Sequence, residues 1–151
     1  MPPIWVAQTP VISLSASSTK TLVQVYGNSA YNFIIKEIGV SFNGVDATKT
    51  PIQIDLLTQT TAGTMTSLTL FSQDRSDPSS SAMTAQHTAT AEPTAGDIIR
   101  SWFVTPAGGT FVFQWPMGDE PVIAFDGYVG LRAITASGVS CGVLANMVLV
   151  Q

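Results

Sequence analysis

Short runs in which apolar and polar residues alternate dominate this chain. In IKEIGVSF, the apolar residues Ile38, Val40 and Phe42 alternate with polar or small ones, and PIQIDLL repeats the same period. A period of two places alternate side chains on opposite faces of a β-strand. The pattern predicts ten strands, near residues 11–15, 20–26, 32–42, 52–58, 66–71, 98–105, 110–115, 121–125, 127–134 and 139–150.

The strand pattern also predicts the fold class. No segment has the spacing of an amphipathic helix, and no internal repeat is visible. Many short strands without helices indicate an all-β protein, which we expect to be a jelly-roll-like antiparallel β-sandwich of about 8–10 strands. The chain has 151 residues, the usual size of one domain, so we expect residues 1–151 to form a single sandwich.

Two segments lack a strand pattern. Residues 72–96 are rich in Ser, Thr, Ala and Pro without clear periodicity, so we expect a long surface loop. Residues 1–10 carry Ile4, Trp5 and Val6 between prolines, which cannot donate to a β-ladder. This segment is expected to be an N-terminal arm that packs either on its own subunit or on a neighbouring one.

The segment IIRSWFVTPAGGTFVFQW predicts a β-hairpin closed by residues 106–109. In that hairpin Trp102 would face Phe113, and Arg100 would lie over Trp115 as a cation–π pair. Its aromatic face is expected to be sandwich core. The opposite face mixes apolar and polar residues, which is typical of a subunit contact. The expected subunit or capsid interface consists of Ile4, Trp5, Val6, Ile99, Ser101, Phe103, Val112 and Gln114.

Composition narrows the class of function. Only 11% of residues are charged, and mean hydropathy is +0.30, so a disordered chain is excluded. No run is long enough for a membrane span. Six scattered basic residues and a net charge of −4 offer no track for a phosphate backbone, so nucleic-acid binding is not expected. The single cysteine, Cys141, excludes an intrachain disulfide and fits synthesis in the cytoplasm. An uncharged surface of this kind is typically covered by partner subunits.

The candidate catalytic residues have simpler structural explanations. The only histidine, His87, has carboxylates nearby in sequence but no defined nucleophile, so we interpret it as a loop histidine. The segment GVSCG matches the nucleophile-elbow pattern at Ser140, but that motif requires a following helix, and here a strand pattern follows. Asp74 and Asp77 depart from the calcium-loop pattern and are interpreted as turn residues. No catalytic, cofactor-binding or metal-binding residue is predicted.

Two stretches resemble a known class of proteins: IKEIGVSFNGVDATKTPIQIDLLTQTTAGTMTSLT, and TAQHTATAEPTAGDIIRSWFVTPAGGTFVFQWPMGDEPVIAFDGYVGLRA. Over about residues 4–150 the chain is similar to capsid decoration, or auxiliary head, proteins of tailed bacteriophages. The resemblance implies a trimeric jelly-roll protein on the outside of the capsid, where it binds the major capsid protein and braces the shell. It carries no catalytic motif.

The sequence therefore predicts a non-enzymatic structural virion protein. It would be made in the host bacterial cytoplasm, form a homo-oligomer, with three copies implied by the resemblance, and stabilise the capsid exterior without a cofactor. The alternative is a carbohydrate- or receptor-binding β-sandwich of a phage fibre. In that alternative Trp5 or Trp115, with Gln114 and Asp119 nearby, would stack on sugar rings.

Overall fold

The computed structural model describes residues 2–27, 31–45, 50–76 and 80–151, and these residues form thirteen β-strands. The strands are β1 (Ile4–Gln8), β2 (Ile12–Leu14), β3 (Thr19–Gly27), β4 (Phe33–Phe42), β5 (Ile52–Gln59), β6 (Thr64–Leu68), β7 (Phe71–Ser72), β8 (Met83–Ala91), β9 (Ala95–Val104), β10 (Thr110–Gln114), β11 (Val122–Ile123), β12 (Tyr128–Ile134) and β13 (Cys141–Val150). No helix long and apolar enough to cross a membrane is found among these residues.

The strands form two antiparallel sheets packed as a sandwich, so the all-β sandwich prediction is confirmed. The first sheet has the order β10-β4-β13-β1-β7, with β11 also beside β4 and β2 beside β13. The second sheet has the order β6-β8-β3-β12-β5-β9. All ten strands expected from the sequence have a counterpart at or near the expected residues. The strand expected near residues 66–71 corresponds to two strands, β6 and β7, and two further strands, β1 and β8, were not expected.

The core follows from the alternation along the central strands. Ile38 and Val40 of β4 lie beside Met147 and Ala145 of β13, and all four side chains are buried. In the second sheet the inward residues of β5, β12 and β3 are buried in the same way. The largest fully buried side chains include Phe33, Ile35, Ile54, Leu56 and Leu131. Burial of such side chains is the main source of stability in a fold of this size.

The N-terminal segment is part of the first sheet. Residues Ile4–Gln8 pair with β13 of the same chain along the whole strand, and Trp5 is only 3% exposed. The flanking prolines do not interrupt the ladder because Pro3 and Pro10 lie outside the five paired residues. The sequence allowed packing on the same subunit or on a neighbouring one, and the structure shows the N-terminal segment packed on its own subunit.

The expectation of a loop over residues 72–96 is wrong for its second half. Residues Met83–Ala91 form β8 between β3 and β6, and β9 begins at Ala95. Met83, Ala85 and Ala89 are buried, with polar residues between them. The alternation is present, but small alanines alternating with threonines give too weak a hydropathy contrast for a period of two to stand out.

The predicted β9–β10 hairpin is also wrong. Strand β9 pairs with β5 in the second sheet and β10 pairs with β4 in the first, so residues 105–109 cross between sheets. The aromatic residues nevertheless meet across the sandwich, because Trp102 lies 5.3 Å from Phe111 and 5.2 Å from Phe113 between ring centres. Their packing against the core agrees with the predicted core role. The guanidinium of Arg100 lies over Phe113 at 5.3 Å, not over Trp115.

Candidate interaction surface

The outward side of the first sheet is an open and nearly uncharged surface, which we call the first face. The register places Val6, Val148, Glu37 and Gln114 in one row and Gln8, Asn146, Gly39 and Val112 in the next. Ile4, Ser41, Thr110 and Leu144 complete the face. Neighbouring strands lie about 4.8 Å apart, so each row spans roughly 14 Å. Apolar and small polar groups on such a flat area are typical of a protein contact.

Four of the eight expected interface residues are brought together on the first face. Ile4 and Val6 come from β1, while Val112 and Gln114 come from β10, three strands away. Val112 is 55% exposed, and Ile4 and Val6 are half-buried. The sequence prediction grouped the residues of β1 and β10 only by their composition. In the structure the two strands belong to one sheet, with β13 and β4 between them.

The other four expected residues lie elsewhere. Ile99, Ser101 and Phe103 belong to β9 in the second sheet, where Phe103 is 75% exposed and Ile99 packs against the core. The Ser101 hydroxyl donates to Asp55 Oδ1 at 2.6 Å. Trp5 is buried between the sheets, so its prediction as an interface residue is wrong. Packing between the sheets removes the large apolar area of the ring from water.

Charged groups beside the first face are engaged within the chain. A groove of about 490 Å³ next to Trp115 is lined by Lys36, Glu37 and Glu120 among others. Lys36 forms an ion pair with Glu120, and the Gln114 amide donates to Glu37. The Lys36 hydrogen bond, assisted by backbone donors, lowers the pKa of Glu120. The groove therefore has neither a free base nor an unpaired cation among these groups.

The outward side of the second sheet, the second face, is crossed by two connections. Residues 60–63 lead from β5 to β6 and residues 92–94 lead from β8 to β9, and each must pass over several strands. They run side by side, because Thr60 N donates to Thr94 O at 3.0 Å and Thr94 N donates to Thr61 Oγ1 at 2.9 Å. These crossing connections bury polar side chains that would otherwise face solvent.

A hydrogen-bond network attaches the crossing connections to the second face. The Glu92 carboxylate accepts from Thr21 N at 2.9 Å and from Thr21 Oγ1 at 2.6 Å. Gln59 donates to Thr21 Oγ1, and Gln24 donates to both Gln59 Oε1 and Thr61 O. Thr21, Gln24 and Gln59 are buried although their side chains point outward from the sheet. Thr21, Gln24 and Gln59 thus each have a hydrogen-bond partner, as stability requires, whereas the neighbouring Gln86 Oε1 has none within the described residues.

A buried ion pair lies further along the second face. The Asp55 side chain is fully buried and accepts from Arg132 Nη2 at 2.8 Å, from Gln53 and from Ser101. Burial acts to raise the pKa of Asp55, but hydrogen bonds from Ser101, Gln53 and Arg132, with the charge of Arg132, outweigh it and lower that pKa. The carboxylate is therefore held ionised as a structural group.

The residues considered as catalytic or metal-binding candidates do not lie together in one site. His87 lies on strand β8, so its interpretation as a loop histidine is wrong. Its Nδ1 is 2.8 Å from Thr88 Oγ1, and Thr88 has a φ of +56° in a bulge of the β6–β8 ladder. Ser140 is exposed, and the residues after it form β13, not the helix that a nucleophile elbow needs. Asp74 accepts from Ser76 N and Oγ, which lowers the pKa of Asp74 and is typical of a turn.

Two remaining points concern metal and sugar chemistry. Asp77 lies outside the described residues, and the described residues hold no group of three or more His, Cys, Asp or Glu side chains placed to bind a metal ion. Trp5 and Trp115 are 3% and 8% exposed, so neither ring offers the open surface that the fibre alternative requires.

Comparison with protein family models, with curated proteins and with solved structures found no match for this chain.

Proposed function

We propose that this protein is a non-enzymatic structural protein that decorates the outside of a phage capsid and binds it through the first face. The observation that carries the proposal is the contrast between the faces. On the second face the chain itself buries Thr21, Gln24, Asp55 and Gln59, whereas the first face presents Val6, Leu144, Val112 and Val148 with few charges. A flat face of apolar and small polar side chains with few charges favours a role in assembly.

The charges of the chain support the same proposal. The Asp55–Arg132 and Lys36–Glu120 pairs and the Glu92 network engage their groups in holding the fold together. A shell presents many equivalent sites, so modest affinity at each copy is sufficient when several copies are linked. Shape and small polar groups then serve binding better than a deep catalytic site.

The partners and location follow the same proposal. The major capsid protein is the partner, the capsid exterior is the location, and the protein acts as a homo-oligomer made in the bacterial cytoplasm. The number of three copies comes from the resemblance alone. The jelly-roll topology is likewise part of the proposal and is implied by the resemblance.

Binding to shells tests the proposal. Purified protein is mixed with expanded shells assembled from the major capsid protein of the same phage, and bound protein is measured after sedimentation. Leu144→Lys places a charge on the first face in the central strand β13, where Leu144 is 40% exposed, so the core stays intact. We expect at least a tenfold loss of binding, about 1.4 kcal/mol.

Phe103→Lys is the matched control. Phe103 is an exposed apolar residue of the second sheet, so the same charge change there is expected to leave binding unchanged. Wild-type protein that stays in the supernatant with shells would overturn the proposal. Equal losses for the two variants would overturn the assignment to the first face.

A further inference from the structure

Strand β10 has an unprotected edge. It pairs with β4 on one side only, and no strand in the described part of the chain pairs with its other side. Its ladder with β4 has no register shift from Thr110 to Gln114. The sequence TFVFQ contains no charge, proline or glycine. Uncharged edges without bulges are the ones that pair with other chains.

Strand β9, the corresponding edge of the second sheet, is protected by comparison. Its ladder with β5 shifts register between Leu56 and Leu57 and again between Leu57 and Gln59. It also carries Asp97 and Arg100, which are both exposed. Bulges and charges are the common means of blocking edge pairing. The two adjacent edges of the sandwich therefore differ in their readiness to bind a strand.

The backbone groups at the β10 edge can be identified from its bonds to β4. Phe42 N donates to Gly109 O, and Trp115 N donates to Lys36 O, so the odd-numbered residues of this segment bond to β4. Antiparallel ladders alternate, so the N–H and C=O groups of Thr110, Val112 and Gln114 point away from β4 toward the free edge. Three donors and three acceptors are thus presented in a row.

We propose that two copies of this chain pair antiparallel through their β10 edges about a two-fold axis at Val112. This inference rests on the self-association in the proposed function and specifies its geometry. In this register Val112 faces its own equivalent, and Thr110 faces Gln114 of the second copy. All outward-pointing backbone groups then pair, giving six hydrogen bonds across the contact.

The side chains of β10 are complementary to themselves about the same axis. Phe111 of one copy faces Phe113 of the second, which makes two cross-strand aromatic pairs. The valines meet on the first face, and the polar Thr110 meets the polar Gln114. No like charges are brought together. Self-complementarity of this kind favours a second copy over an unrelated strand.

The flanking residues also fit the two-fold arrangement. Continuing the register places the bulky Trp115 opposite Gly109 of the second copy and Pro116 opposite Gly108, where a Cβ would meet nothing within 4 Å. Proline ends the ladder because it lacks an N–H. A stable contact needs about 1,000 Å² of buried area, more than a five-residue ladder supplies. Beyond the ladder, the half-buried ring of Trp102, which packs against Phe111 and Phe113, provides further apolar area in each copy.

A two-fold edge contact closes at two copies. The other edge of the first sheet is β7, with only two residues, so β10 has no equivalent ladder to make with it in a head-to-tail ring. The mass expected in solution is therefore twice 15.9 kDa, not three times.

Cross-linking through residue 112 tests the register. In a Cys141→Ser background, Val112→Cys places two cysteines opposite each other in a hydrogen-bonded pair, with Cα atoms about 5.5 Å apart, within the range of a disulfide. We expect rapid formation of a disulfide-linked dimer on oxidation. Leu144→Cys, which is also exposed on the first face, controls for random collision. Equal rates for the two variants would overturn the proposal.

Light scattering tests the contact itself. Wild type is expected as a dimer, and Val112→Lys, which brings two ammonium groups together at the axis, is expected to weaken dimerisation at least about tenfold. The substitution is tolerable in the monomer because Val112 is exposed. A wild-type monomer at 100 µM, or an oligomer unchanged in Val112→Lys, would overturn the proposal. If the protein is a monomer that binds shells, the dimer proposal fails and the proposed function stands. If it is a Val112-dependent dimer that does not bind shells, the dimer proposal stands and the proposed function fails.

Discussion

The first face lies open across the strands of its sheet, whereas the second face is crossed by two connections that bury its outward polar groups. Both faces are built from strands of similar composition, and both have glycines beneath amide side chains: Gly39 lies beside Asn146 and Gly130 beside Gln59. The surroundings of those amides differ. Gln59 is buried, and both its amide oxygen and its amide nitrogen form hydrogen bonds. Asn146 Oδ1 has no hydrogen-bond partner within the described residues. The second face also has one such oxygen, Gln86 Oε1 beside Gln24, so the faces differ in the crossing connections and in the Thr21–Glu92 network that cover the second face.

The largest expected effect comes from the buried ion pair of the second face. Asp55→Ala removes the partner of Arg132 and leaves that charge largely buried, so we expect a loss of about 3 kcal/mol in the free energy of unfolding. Glu37→Ala, on the first face, removes a half-buried carboxylate whose partner is the exposed Gln114 amide, and is expected to cost less than about 1 kcal/mol. Urea denaturation measures both. Similar losses for the two variants would remove the distinction between the faces.

The two glycines provide a matched pair of smaller effects. A Cβ at residue 130 would overlap the Gln59 amide, which cannot move without breaking its bonds to Gln24 and Thr21. Gly130→Ala is therefore expected to cost about 2 kcal/mol. Gly39→Ala displaces an amide with an unpartnered oxygen and is expected to cost less than about 1 kcal/mol. Thermal denaturation of both variants checks the order, and a larger cost at residue 39 would contradict it.

A still smaller effect is expected from the crossing connections. Glu92→Gln keeps the size of the side chain but weakens its bonds to Thr21, so a loss of about 1 kcal/mol is expected. Amide hydrogen exchange should accelerate in residues 60–63 and 92–94, while β13 stays protected. Uniform acceleration over the whole chain would mean that the connections do not open separately.

Acid provides a reversible test of the second face. Because the folded pKa of Asp55 lies below its ordinary value of 3.8, its contribution to stability is complete above that value and is lost as the pH falls through the folded pKa. We expect Asp55→Asn to be less stable than wild type at neutral pH, with the gap narrowing toward pH 2. Unfolding free energies between pH 2 and pH 7 measure the gap. A gap independent of pH would contradict the stabilising role of the ionised carboxylate.

Much of the fold could be predicted from local pattern, and the failures have physical causes. Strands β4 and β13 carry strong alternation of large apolar and polar side chains, so their bounds were expected almost correctly. Strand β8 was missed because its buried residues are mainly alanines. The β9–β10 hairpin was wrong because a short Pro-Gly connection serves equally for a hairpin and for a crossing between sheets. Nothing in residues 105–109 distinguishes the two.

The candidate surface could be predicted only in part. Val112 and Gln114 were correctly expected to point away from the core, because the alternation in β10 is local information. Trp5 was assigned to a contact because prolines flank its strand, but the neighbouring ladder with β13 buries it. The Thr21–Glu92 network joins residues 71 positions apart, and no local signal links them.

The sequence alone determined that this chain forms alternating strands, that its charges are few, and that it folds as an all-β sandwich. These properties follow from the side chain at each position and its immediate neighbours. The tertiary structure decided which strands pair, which face the crossing connections cover, and which edge remains free. Those outcomes depend on contacts between residues far apart in the chain, and the free energies of such contacts cannot be inferred from any short segment alone.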